Sequence, residues 1–350
     1  MKKQLIALSL MLMASGMYAQ TEVTVGVMHG KDYGVTYLLP KTEIEIELKT
    51  TCHRYTPGEF CKYADRYLRL NNASPEARTS WTLDKVEMRV VGVPDKEQVY
   101  FVKMKDKSVA PLMELTEEGI VRSINCPFSG NTTKTKPAAQ PEEKPKVNPR
   151  SFLTEEILMT NSTAKMAELV AKEIYSIRES KNALLRGEAD NMPKDGAQLK
   201  LMLDNLNLQE QAMTEMFAGK IQEESHSFTL RIAPEEMKEK VVFRFSKKLG
   251  LVASDDLAGE PYYLSIENLK TVSQTPTEEG KKKTEGVVYN VPGQAHIVLS
   301  DGQHQLFDTE LPLTQFGIQE FLAPVLFNKN STIKVQFDTA TGGILKVDRE

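Results

Sequence analysis

Apolar residues recur at every second position through much of this chain. Val23, Val25 and Val27 alternate with polar or small partners, Ile44, Ile46 and Leu48 with Glu45, Glu47 and Lys49, and Val86, Met88 and Val90 with Glu87 and Arg89. A period of two puts alternate side chains on opposite faces of a strand, so these tracts predict half-buried strands with one packed and one wet face. The pattern returns at Phe228, Leu230 and Ile232, at Val241, Phe243 and Phe245, and at Ile333, Val335 and Phe337. Asp301-Gly302 predicts a two-residue hairpin turn between Ala295–Leu299 and Gln305–Leu311, pairing Ser300 with Gln303 and His296 with Phe307. Thr341-Gly342-Gly343 predicts another turn, before a closing strand at Ile344–Val347.

Two stretches follow a helical period instead. Thr56-Pro57-Gly58-Glu59 has the form of a capping box, and Phe60, Tyr63, Ala64, Tyr67 and Leu68 share one stripe, predicting a short helix over 56–70. Met166, Leu169, Val170, Ile174, Ile177, Leu184 and Leu185 keep helical spacing up to a capping Gly187. A return helix starts at Asp195, with Gln198 reaching back, and carries Leu199, Met202, Leu203, Leu206, Met213, Met216 and Phe217 up to Gly219. The short connection makes the two helices antiparallel neighbours.

The fold expected is α+β, mainly β. An N-terminal β-rich region covers 20–130, with the short helix inside it, and a C-terminal β-rich region covers 223–350. Each reads as an antiparallel sandwich or barrel, with a helical hairpin over 151–222 between them. Residues 131–150 carry Pro137, Pro141, Pro145 and Pro149 among Thr, Lys and Glu, which offer little to bury and read as a flexible linker. Thr275–Lys283 reads as a solvated loop.

Residues 1–19 change the picture of where the chain goes. Lys2 and Lys3 precede an apolar run from Leu5 to Met13 and small residues at Ala14-Ser15-Gly16, the form of a secretory signal peptide. Cleavage is expected after Ala19 or after Gly16, and the run is too short for a permanent membrane span. No later stretch reaches transmembrane length, so the mature chain is expected in the periplasm, associated with the outer membrane, or secreted. With 44 basic residues against 48 acidic ones and a net charge of −4, no basic excess speaks for nucleic acid. Cys52, Cys61 and Cys126 allow at most one internal bridge, Cys52 with Cys61 being the closer pair, and three free thiols are the alternative.

Candidate chemistry is sparse. The chain has no G-x-S-x-G elbow, no phosphate-cradling glycine motif, no H-E-x-x-H and no C-x-x-C. His296 and His304 fall on opposite faces of the hairpin drawn above, which argues against a shared metal. Ser254-Asp255-Asp256-Leu257-Ala258-Gly259-Glu260-Pro261-Tyr262-Tyr263 is the densest polar cluster. Asp255, Asp256 and Glu260, with Tyr262 and Tyr263, offer oxygens and rings for calcium or a sugar, but Asp-Asp and Gly-Glu-Pro are also ordinary turn chemistry. No catalytic residue, metal site or cofactor is assigned.

Several tracts together resemble the DUF4831 family of exported Bacteroidetes proteins. They are Gly34–Lys41, Tyr55–Phe60 with Lys62–Leu68, Tyr100–Lys103, Ala164–Glu168, Ile174–Ser180 and Gly259–Tyr263. The resemblance implies an exported envelope or secreted protein and supplies no catalytic residues. The function expected is a non-enzymatic binding or assembly module of the cell envelope, with envelope proteins or glycans as partners. A carbohydrate-active or other secreted hydrolase and a fimbria-like structural subunit are the alternatives.

Overall fold

The structure is a computed structural model that describes residues 22–25, 34–103, 113–127, 147–273, 286–322 and 333–349. The signal segment over 1–19, residues 131–146 of the expected linker and the Thr275–Lys283 loop lie outside the described residues.

Among the described residues three antiparallel sheets make the framework. The first has the order β1 (Glu22–Val25), β3 (Arg78–Lys103), β2 (Gly34–Thr56), β6 (Lys220–Ile232). The second runs β11 (Gln305–Leu322), β10 (Val287–Ser300), β9 (Glu260–Asn268), β7 (Met237–Ser246), β8 (Gly250–Val252). The third runs β13 (Ile344–Arg349), β12 (Ile333–Phe337), β5 (Val121–Ile124), β4 (Met113–Leu115). Among the described residues none closes into a barrel. The fold is α+β, mainly β. Strands from both β-rich regions share sheets, since β6 lies beside β2 and β12 beside β5.

Register explains why the alternating tracts choose each other. Val90, Ile44 and Ile232 stand in one cross-strand row, Met88, Ile46 and Leu230 in the next, and Val86, Leu48 and Phe228 in the third. A one-residue slip would turn every one of these to solvent. That face packs on Phe243, Leu264, Ile266, Ile297 and Leu299 of the second sheet to form one core. The opposite face is polar, and there Arg89, Glu45 and Arg231 share a row. Glu45 is only 4% exposed because both guanidiniums close over it, with Arg89 Nε at 2.8 Å and Arg231 Nε at 3.0 Å. Burial opposes its ionisation, but the two arginines prevail and hold its carboxyl below the usual range.

Prolines let the same long strands serve a second core. Pro40 faces Pro94 at a register shift in the β2–β3 ladder, and Pro292 sits in the shift between Val291 and Gly293 of β10. Proline cannot donate to a ladder, so the pairing breaks and the strands change course there. Beyond the bends, Tyr37, Leu39, Tyr100 and Val102 meet Val121, Ile124, Val287, Val288, Val335 and Phe337. Tyr37 is fully buried, and its hydroxyl accepts the Val288 N–H at 2.9 Å and donates to the Val288 carbonyl at 3.2 Å.

The helices form a third cluster. α1 (Ala64–Leu68), α2 (Glu155–Leu158), α3 (Thr163–Arg186) and α4 (Gly196–Ala218) bury Phe60, Ala64, Leu68, Val170, Ile174, Met213 and Phe217 together. Gly187 caps α3 in the left-handed conformation at φ 77°, and the Asp195 carboxylate accepts the Gln198 N–H at 2.8 Å to start α4. Among the described residues no helix is long and apolar enough to cross a membrane.

Three local expectations change. The helix expected over 56–70 is shorter: Thr56 still belongs to β2, paired with Lys220, and the helical turns begin at Cys61. Its capping box does not form because this segment docks on α4, where the Phe60 N–H donates to the Met216 carbonyl at 2.7 Å. Strand β6 begins at Lys220, inside the stretch assigned to the hairpin, since β2 offers a partner that the local pattern does not announce. The hairpin after β10 is a four-residue turn, with Ser300 paired to Gln305 and His296 to Glu310. Its cause is the Asp301 carboxylate, which accepts the N–H groups of Gln303 at 2.8 Å and His304 at 2.7 Å and so holds both outside the ladder.

Candidate functional site

The Asp255-to-Tyr263 segment links β8 to β9. Asp256 Oδ1 accepts the Ala258 N–H at 2.9 Å, and Arg244 reaches the carbonyls of Ser254 at 2.9 Å and Gly259 at 3.0 Å, closing the turn. Asp255 and Glu260 are exposed. Tyr262 belongs to the first core, stacked on Phe243 with ring centroids 4.4 Å apart, whereas Tyr263 points to the other face of β9. The structure thus separates the two tyrosines. Among the described residues no three His, Cys, Asp or Glu side chains are placed to hold a metal. Cys52, Cys61 and Cys126 are all free thiols, Cys52 buried in β2 and Cys61 on the first turn after it, so the possible Cys52–Cys61 bridge is not formed. His304 bonds Asp301 in its own turn and His296 bonds Asp308 at 2.7 Å, so the two histidines have separate partners.

Cross-strand register does bring a hydroxyl, an imidazole and a carboxylate together on the polar face of the first sheet. His53 Nδ1 lies 3.3 Å from Glu223, and its Nε2 3.2 Å from Thr82 Oγ1. The Thr82 hydroxyl donates to Asp84 at 2.8 Å, so its proton is directed away from the imidazole. The group lies among exposed side chains on a sheet face. It lacks the proton path of a nucleophile–base pair.

A cleft of about 460 Å³ opens instead where β10 bends at Pro292. A sharp turn over 338–343 comes against that bend. Asn290, 6% exposed, donates from Nδ2 to the carbonyls of Pro40 and Thr341, both at 2.8 Å. Asp338 holds the turn from inside, accepting the Ala340 N–H at 2.9 Å and the Thr341 hydroxyl at 3.0 Å. Val291, Pro292, Pro312, Ile344 and Leu345 supply apolar walls. At one corner the Tyr289 hydroxyl donates to Glu320 at 2.7 Å. Burial, with that carboxylate, pushes the phenol up to about 12, so it remains a donor at neutral pH. A space of this size suits a small ligand. A void beside Leu39, Ile120 and Val288 has only about 10 Å³, room for one water at most.

A family model described as a domain of unknown function, DUF4831, matches residues 33–345. The chain belongs to the DUF4831 family. No curated protein and no solved structure matches it. The DUF4831 match reaches into all three sheets, covers the helical cluster and takes in the whole lining of the cleft. Tyr289, Glu320 and Asp338 did not stand out in the sequence. The one local signal was Pro292-Gly293 interrupting an alternating run, and the turn that completes the DUF4831 cleft arrives from far along the chain.

Proposed function

We propose that this protein is an exported cell-envelope protein that acts as a non-enzymatic binding module, holding its ligand in the cleft at the β10 bend. The observation that carries this reading is the pairing of apolar walls with a single acidic corner. Asp338 is occupied by its turn, whereas Glu320 takes one bond from Tyr289 through Oε2. A carboxylate against apolar walls favours a ligand with an apolar or aromatic body and a cationic or N–H donor group. Export rests on the signal-like residues 1–19.

Ligand-observed NMR with size-matched aromatic amines and aromatic carboxylates tests the cleft. The amines should bind and the carboxylates should not. In Glu320→Gln, amine binding should weaken by about ten-fold, the worth of a charge-assisted hydrogen bond. Equal binding of both classes, or of neither, refutes the assignment. Cell fractionation tests export: deleting residues 1–19 should trap the protein in the cytoplasm, and an unchanged distribution would refute that part.

A further inference from the structure

β6 borders the first sheet. One side of it pairs with β2 along all of Lys220–Ile232, and among the described residues no strand pairs with the other. Along that free side, alternate residues point N–H and C=O groups outward, a template for another extended strand. Proteins usually blunt such an edge with a proline, a bulge or a short length. β6 has 13 residues, contains no proline, and runs beside β2 without a register shift.

Its side chains indicate the partner. On the polar face Glu223, Ser225, Ser227, Thr229 and Arg231 follow one another, all exposed. This order is its own antiparallel complement. A second copy related by a two-fold axis at Ser227 places Glu223 opposite Arg231 and Ser225 opposite Thr229, each twice. Moving the axis by one residue in either direction loses both charge pairs. Opposite charges directly across a ladder attract, and like charges repel. Arg231 already bonds Glu45 at 3.0 Å and Glu223 lies 3.3 Å from His53, so pairing would join two ionic rows into one. On the other face Phe228, Leu230 and Ile232 are only partly buried against the first core, and a neighbouring strand would cover them further.

We propose that β6 is a homodimer interface, through which two copies of this chain pair antiparallel about Ser227 and merge their first sheets into one. The contact is isologous, with the same strand used by both copies.

Analytical ultracentrifugation of wild type, Glu223→Arg and Arg231→Glu, alone and mixed, tests this. Wild type should sediment as a dimer. Each single variant should lose the dimer, because like charges then face each other at both ends of the pairing. An equimolar mixture of the two should regain it, since every arginine then faces a glutamate. Arg231 also holds Glu45, so thermal unfolding checks that this variant is folded. Ser227→Cys gives an arm without charge reversal: with a mild oxidant it should form a disulfide-linked dimer that wild type does not. A wild type that stays monomeric at every concentration overturns the proposal. So does a mixture of folded variants that stays monomeric, or a Ser227→Cys protein that does not cross-link.

Discussion

Replacing Tyr37 by phenylalanine removes one oxygen atom and leaves the shape of the core intact. The ring keeps its stack on Tyr100, with centroids 5.6 Å apart. What disappears is the only bridge described between this side chain and the backbone of Val288, which is 2% exposed. An N–H and a C=O are then left where the adjoining space, about 10 Å³, admits one water at most. A buried polar group stripped of its partner costs about 1–3 kcal/mol, with the N–H the stricter of the two. Tyr37→Phe should therefore lose about 2–4 kcal/mol of stability. Burial drives the Tyr37 hydroxyl well above its ordinary range, so it stays protonated, and the loss should be the same at neutral and mildly alkaline pH. Equilibrium urea unfolding followed by circular dichroism measures it as a shift in midpoint at constant slope. A loss below about 0.5 kcal/mol would refute the reasoning, because the two groups would then have found other partners.

Glu45→Gln should cost about 1–3 kcal/mol at neutral pH, because the amide no longer balances the two guanidinium charges and offers an acceptor oxygen to only one of them. The folded pKa of Glu45 is depressed, so its contribution is complete above the unfolded value of roughly 4.3 and is lost as pH falls through the folded value. The gap to wild type in urea midpoints should accordingly close in acid, and a gap that persists there rules the account out. At Gly92 a Cβ would fall 2.3 Å from the Thr339 carbonyl oxygen, so Gly92→Ala must push the 338–343 turn aside at about 1–3 kcal/mol. An unshifted melting temperature would show that the close approach does not matter. Thr50 is 1% exposed and its hydroxyl has no hydrogen-bond partner among the described residues, so the isosteric Thr50→Val should gain up to about 1 kcal/mol. A lower melting temperature for that variant would count against it.

Which residues face inward was readable from the sequence, because alternation is a property of neighbours. Ile44, Ile46 and Leu48, and equally Phe228, Leu230 and Ile232, point where their period places them. The caps of the helical hairpin were readable for the same reason, as each involves residues within one turn. Pairing between distant strands was not. Lys220 to Glu224 has no apolar alternation, yet it forms strand because β2 lies beside it. The short helix started late because Phe60 found a backbone partner on α4, a contact no capping pattern can anticipate. The turn at Asp301-Gly302 lengthened because a side chain outbid the two-residue geometry that the dipeptide favours. The cleft joins all these difficulties. It needs a proline bend in β10, a carboxylate on β11 and a turn before β13, and their meeting is decided only by packing.

The interleaved strand order has a consequence for how the molecule is made. Tyr37 reaches Val288, 251 positions later, and Thr42 reaches Thr314, 272 positions later. Neither the first core, which needs Leu313 and Phe316, nor the second, which needs Val335 and Phe337, can close until almost the whole polypeptide has left the ribosome. Closing such distant contacts is slow and carries a large entropic penalty. Both sheet cores therefore stay open for most of the synthesis of the chain. Topology alone thus postpones the point at which this polypeptide becomes compact.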